Sequence, residues 1–356
     1  MVLRQASQAQ DTHVEAAAKV SSERLPWLDA LRALAIVDIV SRHAGAVVAG
    51  ADGLATRSYD YAVFGMGLPV FLLCSIALGA RRSPPRPFKE HARLRAVRLL
   101  KPYAIWWLIY LVFNTVRHAT TGEWRFATLT SFNPAHLILG TEYLLWYLPF
   151  ILVAEVLANS LRQASDAWAQ RKPVWAIAGW ALLGVLLLAL MPHPGWIGKG
   201  MPGGELLAVG FGWYRSIVCV PLGIGLAIAM CRRQQNPWML LILGLLAGLF
   251  ALLCQPIISQ IPWPVDAHWA QRMGIGMCLI CAACLLPRRL PKSLTVPLGQ
   301  WVSWTFGIYL VHIIVLWPIE MIFRDRIGSP IWLYTWFGSV LLILIGRQVV
   351  RLRKAA

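Results

Sequence analysis

Ten apolar runs, separated by short polar links, set the pattern of the chain. They fall at about 27–48, 61–80, 99–117, 136–159, 173–191, 214–231, 237–258, 269–287, 303–323 and 331–350. Most are close to the roughly 20 residues a helix needs to cross a hydrocarbon core about 30 Å thick. The links alternate in charge. The second is dense in base, with Arg81, Arg82, Arg86, Lys89, Arg93, Arg95, Arg98 and Lys101. Arg162, Arg171 and Lys172 follow the fourth run, Arg232 and Arg233 the sixth, and Arg288, Arg289 and Lys292 the eighth. Arg347, Arg351, Arg353 and Lys354 close the chain. The intervening links are sparse or balanced, the weakest case being Arg324, Asp325 and Arg326. Lysine and arginine accumulate on the cytoplasmic side of membrane proteins. The pattern therefore predicts an all-α, polytopic membrane protein with about ten transmembrane helices and both termini cytoplasmic. Residues 1–24 read as a polar cytoplasmic segment without the apolar core of a signal peptide, 25–350 as the transmembrane domain, and 351–356 as a basic cytoplasmic tail.

Composition agrees. The 356 residues are 58% hydrophobic and 14% charged, against about 25% charged in soluble domains. A disordered chain is excluded and a water-soluble enzyme is disfavoured. The net charge of +17 sits between apolar runs, so it reads as orientation in the bilayer and contact with membrane lipids, with no nucleic acid partner expected. The seven cysteines lie mostly inside apolar runs, unlike a secreted disulfide framework. Cys278, Cys281 and Cys284 have metal-like spacing, but on an apolar helix they read as small packing residues, and no metal is expected. The Gly198–Gly204 stretch lacks the Lys-Ser/Thr of a phosphate loop and reads as an outer loop. Tryptophans near span ends, such as Trp27, Trp124, Trp196, Trp213, Trp263 and Trp301, read as interfacial anchors.

The first apolar run is unusual in carrying Asp29, Arg32, Asp38, Arg42 and His43. Ionisable groups at bilayer depth cost about 2.5–3.5 kcal/mol each on insertion scales, so this helix should line a cavity or the centre of a bundle. Arg32 and His43 are 11 residues apart, which is close to three full turns and places them on one face about 16 Å apart along the axis. Asp29 can pair with Arg32, and Asp38 with Arg42, at helical spacing. The basic link at 81–101 begins with Pro84, Pro85 and Pro87 and reads as a helix from Phe88, with Arg95 and Arg98 on one face. Two readings stay open for it: a topogenic cluster on anionic headgroups, or a site for a phosphorylated ligand arriving from the cytoplasm.

These residues carry a resemblance. Leu28-Asp29-Ala30-Leu31-Arg32-Ala33-Leu34-Ala35 followed by His43 resembles the first helix of the membrane-bound acyltransferase-3 family, an Arg, ten residues, then a His. Pro69-Val70-Phe71-Leu72-Leu73-Cys74-Ser75 is similar to the family's second helix, with Ile76 where the family has glycine. Arg95-Ala96-Val97-Arg98 with Pro102 and Tyr103 resembles its basic Arg-x-x-Arg link. Leu145-Trp146-Tyr147-Leu148-Pro149 resembles its Leu-Trp-Phe/Tyr-Leu segment, without the histidine often seen before it. Ser303 through Gly307-Ile308-Tyr309-Leu310-Val311-His312 resembles its ninth helix. The likeness covers most of the chain in the right order.

The resemblance implies transfer of an acyl group, usually acetyl from acetyl-CoA, to a saccharide hydroxyl at or beyond the outer face. Arg32, Arg95 and Arg98 would hold the phosphates of the acyl-CoA co-substrate, and His43 would be the general base. Asp29, Ser75, Glu142, Trp146, Tyr309 and His312 would support the site, although His312 could equally serve as an inter-helix hydrogen bond. Expected partners are the acyl-CoA donor, a saccharide acceptor and the machinery of polysaccharide synthesis, in a bacterial inner membrane. A covalent acyl intermediate stays open. The competing class is a transporter or flippase of a lipid-linked saccharide that uses the buried charges as a pathway. The lack of an internal repeat weighs against it.

Overall fold

The computed structural model describes residues 25–48, 65–81, 86–122, 136–190, 212–258, 267–287, 291–323 and 331–355, together with 128, 134 and 210. The 1–24 segment, the Gly198–Gly204 stretch and the tryptophans at 124, 196 and 263 lie outside the described residues. Among the described residues all regular structure is helical, with no strand. The α-helices are α1 (Pro26–Val48), α2 (Gly67–Ala80), α3 (Phe88–Thr121), α4 (His136–Leu139), α5 (Tyr147–Ala164), α6 (Asp166–Arg171), α7 (Pro173–Ala189), α8 (Cys219–Arg232), α9 (Trp238–Ile258), α10 (Ala267–Leu285), α11 (Lys292–Phe323) and α12 (Ile331–Ala355). A 3₁₀ turn, Tyr143–Trp146, precedes α5.

Each predicted run contains a helix. By length and composition, Phe88–Thr121, Leu144–Ala164, Gly212–Arg232 and Pro297–Phe323 can cross a membrane, and Gly67–Ala80, Pro173–Ala189 and Trp238–Cys254 are shorter apolar helices. Large apolar side chains stand exposed along whole faces, including Leu108 and Val112 on α3, Leu245 and Leu249 on α9, and Leu341 and Ile345 on α12. Water would not tolerate surfaces of this kind, whereas lipid matches them. The chain is a membrane protein.

Two boundaries differ from the pattern. From Phe88 onward the basic link and the third run are one 34-residue helix, α3, that passes through Pro102. It ends where Gly122 takes a left-handed φ of 70° and its N–H donates to the His118 carbonyl, the conformation glycine accepts most cheaply. The fourth run, expected as one helix over 136–159, is broken between α4 and α5. Gly140 has φ 98° there. Freed backbone groups near the break find side-chain partners on α3. Trp107 Nε1 donates to the His136 carbonyl at 2.8 Å, Tyr103 Oη to the Leu137 carbonyl at 2.9 Å, and Asn114 Nδ2 to the Thr141 carbonyl at 2.7 Å. Irregular backbone at membrane depth survives only where protein satisfies it in this way.

The chain divides into two compact units. One is built from Leu72–Leu286. Its most enclosed element is α8, buried from Cys219 to Met230, which packs against α5, α7 and α9. Within it α9 and α10 make a close pair. A Cβ at Gly244 would lie 2.9 Å from the Cys281 Cβ, and one at Gly248 3.5 Å from the Cys278 Sγ. The cysteine stripe thus packs against a Gly-x-x-x-Gly face, the small-residue contact typical of membrane helices. The other unit combines Pro26–Phe71 with Pro287–Ala356. Here α1, α11 and α12 pack pairwise, around an apolar cluster of Ala44, Leu316 and Ile331. That cluster fixes the α1 turn that carries His43.

Candidate active site

The residues singled out by sequence fall in both units, and the densest group lies in the unit built on α1, α11 and α12. Arg32 on α1 is half-buried. Its guanidinium carbon sits 5.5 Å from the centroid of the Phe71 ring, a cation–π geometry. Its Nε is buried with no hydrogen-bond partner among the described residues, and a buried donor left unmet costs about 1–3 kcal/mol. Phe71 stacks on Tyr309 with centroids 6.3 Å apart, and Tyr309 lies 6.0 Å from His312. His312 is fully buried. Its Nε2 is 2.8 Å from Nδ1 of His43, and its Nδ1 is 2.7 Å from the Tyr309 carbonyl oxygen. A continuous set of contacts therefore runs from Arg32 through Phe71, Tyr309 and His312 to His43. His43 itself is half-buried.

Asp38 on the same helix has a structural task. Its carboxylate accepts from the backbone N–H of Gly65 at 2.9 Å and of Gly67 at 2.6 Å. Those donors open α2, where helical N–H groups lack intrahelical partners and a negative charge is favoured. Gly65 holds φ 119°, in the region that glycine alone enters freely. A Cβ at Gly67 would come within 2.8 Å of the Asp38 carboxylate. The expected Asp38–Arg42 pairing is thus recast: the carboxylate is turned to the α2 backbone, and Arg42 is exposed. Asp29, one turn before Arg32, is half-buried.

The other candidates belong to the Leu72–Leu286 unit. Ser75 Oγ lies 3.3 Å from Tyr147 Oη. Arg95 forms an ion pair with Glu155 at 2.9 Å, their side chains 17% and 7% exposed. Gly79 makes room for this pair, since a Cβ there would meet Arg95 Nη2 at 3.3 Å. Arg98, three residues on, is exposed. Glu142 is buried in the helix break, and its carbonyl accepts from the N–H of Leu145. Trp146 is buried edge-on to Phe150, and Phe150 edge-on to Trp213, with centroids 5.8 and 5.6 Å apart. Where the resembled second helix has glycine after Ser75, Ile76 is fully buried, and the space it takes is opened on α8: a Cβ at Gly223 would lie 2.6 Å from Ile76 Cγ2.

Sequence reasoning did not single out Phe71, which bridges Arg32 and Tyr309, nor Tyr147 on Ser75. Both stand inside quoted motifs but look like ordinary apolar-run aromatics. Glu155 stands as a charge inside the 136–159 apolar run, and a basic residue in a neighbouring helix is its natural partner.

A family model described as an acyltransferase domain matches residues 25–346. No curated protein and no solved structure matches the chain.

Proposed function

The chain belongs to the acyltransferase-3 family, and from that premise we propose that this membrane acyltransferase moves an acyl group, acetyl being the expected one, from cytoplasmic acyl-CoA to a hydroxyl of a cell-envelope or exported saccharide. The reading places about ten spanning helices in a bacterial inner membrane with both termini cytoplasmic, following the basic links.

The observation that carries it is the pairing on one helix of Arg32, whose buried Nε has no described partner, with His43, joined through Phe71, Tyr309 and His312. A guanidinium with an unmet donor is a ready ligand for a phosphate or a developing oxyanion. A neutral imidazole can take a proton near pH 7. In the reaction His43 removes the proton of the acceptor hydroxyl as that oxygen attacks the thioester carbonyl. The tetrahedral adduct collapses with loss of the CoA thiolate, and the imidazolium returns its proton to that sulfur. Ester and CoA thiol are the products, and atoms balance without an outside reactant. Arg95 and Arg98 would add charge for the donor phosphates, Arg95 sharing its charge with Glu155. Asp29, Ser75, Glu142, Trp146, Tyr309 and His312 are proposed as supporting residues.

The test is mass analysis of surface glycans from cells with and without the protein, repeated with His43→Ala, alongside acetyl-CoA binding to the purified protein and to Arg32→Ala. The reading expects the added acyl mass to vanish in His43→Ala and donor binding to weaken in Arg32→Ala. Undiminished acylation in His43→Ala rejects the catalytic assignment. Movement of a lipid-linked saccharide with no acyl transfer would select the transporter reading.

A further inference from the structure

The His43–His312 contact has a direction, and a backbone carbonyl sets it. A carbonyl oxygen only accepts hydrogen bonds. The His312 Nδ1, 2.7 Å from the Tyr309 carbonyl oxygen, therefore carries hydrogen. A neutral imidazole has one N–H, so His312 Nε2 holds a lone pair. His43 Nδ1 faces that lone pair at 2.8 Å. Two lone pairs do not face each other at this distance, so His43 Nδ1 carries hydrogen too. The remaining nitrogen of neutral His43, Nε2, is then the basic one.

We propose that His312 is a positioning residue that, anchored by the Tyr309 carbonyl, holds His43 in the Nδ1–H tautomer and thereby makes Nε2 the nitrogen that accepts the acceptor hydroxyl's proton. The proposal rests on the reading of His43 as the base. The surroundings suit the task. His312 is fully buried, and Ile308, Tyr309, Leu310 and Val311 before it are buried as well, so the ring cannot turn to water for another partner. Tyr309 lies three residues earlier on the same helix, which keeps anchor and ring at fixed spacing. When His43 gains a proton at Nε2, its Nδ1–H bond to His312 becomes charge-assisted and shortens. The dyad thus favours the imidazolium that forms during attack. His312 touches no reacting atom in this scheme and acts through His43.

The experiment uses the full-length protein in lipid nanodiscs with ring-¹⁵N histidine, the His43 and His312 signals being assigned by difference from His43→Ala and His312→Leu. Expected in the wild type is a protonated Nδ1 and a bare Nε2 on His43. In His312→Leu that preference disappears and kcat drops at least about tenfold, a part of the roughly 10²–10⁴-fold that a positioned base contributes, while the donor KM stays within about twofold. His312→Gln offers Oε1 near the position of Nε2, and it restores most of kcat and the wild-type tautomer. A proton on His43 Nε2 in the wild type overturns the proposal, as does wild-type turnover in His312→Leu or a Gln variant no better than Leu. If His312→Leu fails to fold, the wild-type spectrum and the Gln variant still decide. The two readings separate cleanly: retained transfer in His43→Ala overturns both, whereas an inactive His43→Ala with equal Leu and Gln variants overturns the positioning role alone.

Discussion

The Asp38 carboxylate, on α1, accepts the backbone N–H of Gly67 at 2.6 Å and so closes the start of α2. This contact accounts for one of the five ionisable residues in the first apolar run without assigning it chemistry. Asp38→Ala leaves the Gly65 and Gly67 donors unmet and should lower stability by about 1–3 kcal/mol. Asp38→Asn keeps an acceptor and should lose less. Thermal unfolding in detergent reads both. The double variant Asp38→Asn/Arg42→Gln separates capping from pairing. If capping is the task, removing the Arg42 charge brings back none of the lost stability.

Ile76 and Gly223 form a reciprocal fit between α2 and α8. A methyl group at Gly223 meets the Ile76 side chain at 2.6 Å, so Gly223→Ala should destabilise by about 1–3 kcal/mol through overpacking. Ile76→Ala opens a cavity when made alone. Combined with Gly223→Ala, it should recover a measurable part of the loss, because the second change fills space the first vacates. Strictly additive losses in a double-mutant cycle would show that the two residues do not compensate each other.

These contacts mark how far the sequence could be read. Apolar runs and basic links placed the helices, since lipid leaves a spanning segment few conformations to choose from. The first-helix charges pointed to the candidate site because their insertion cost has to be offset by a function or a buried partner. Helix spacing was a weaker guide to partners. It suggested an i,i+4 pair for Asp38, but the α2 backbone offers donors that a sequence does not display as charges. The break after Gly140 was hidden for the same reason, because the residues that satisfy it, Trp107 and Asn114, lie on α3. Phe71 went unnoticed as a neighbour of Arg32 since nothing in an apolar string says which aromatic ring meets a cation. His312 was visible as a candidate, yet its orientation toward His43 came only from packing of α1 on α11.

Arg32 and Phe71 give a graded test of the donor-binding proposal. Arg32→Ala removes the only charge of the pair and should weaken acyl-CoA binding by about 1.5–3 kcal/mol, the range for a hydrogen bond to a charged group. Arg32→Lys keeps the charge but not the planar fork and should fall between. Phe71→Leu removes the ring face beneath the guanidinium, a contribution of about 0.5–1 kcal/mol at partly exposed sites, and should weaken binding only slightly. Isothermal titration with acetyl-CoA measures all three. Equal affinity across the series would leave Arg32 no role in donor binding.

The ion pair of Arg95 with Glu155 lets structure and donor binding be pulled apart. Glu155→Gln strands a largely buried guanidinium and should cost about 3–5 kcal/mol of stability, the usual penalty for removing one partner. The double change Arg95→Met/Glu155→Leu removes both charges and should restore most of that stability. Arg98 is exposed, so Arg98→Gln should leave stability within about 0.5 kcal/mol. If the basic link holds the donor phosphates, the folded double variant and Arg98→Gln should each raise the acyl-CoA KM several-fold with little change in kcat, as expected when binding is lost equally from ground and transition states. A donor KM unmoved in both variants would confine the link to orienting α3 in the membrane, and Arg32 would then be the remaining candidate for the phosphates.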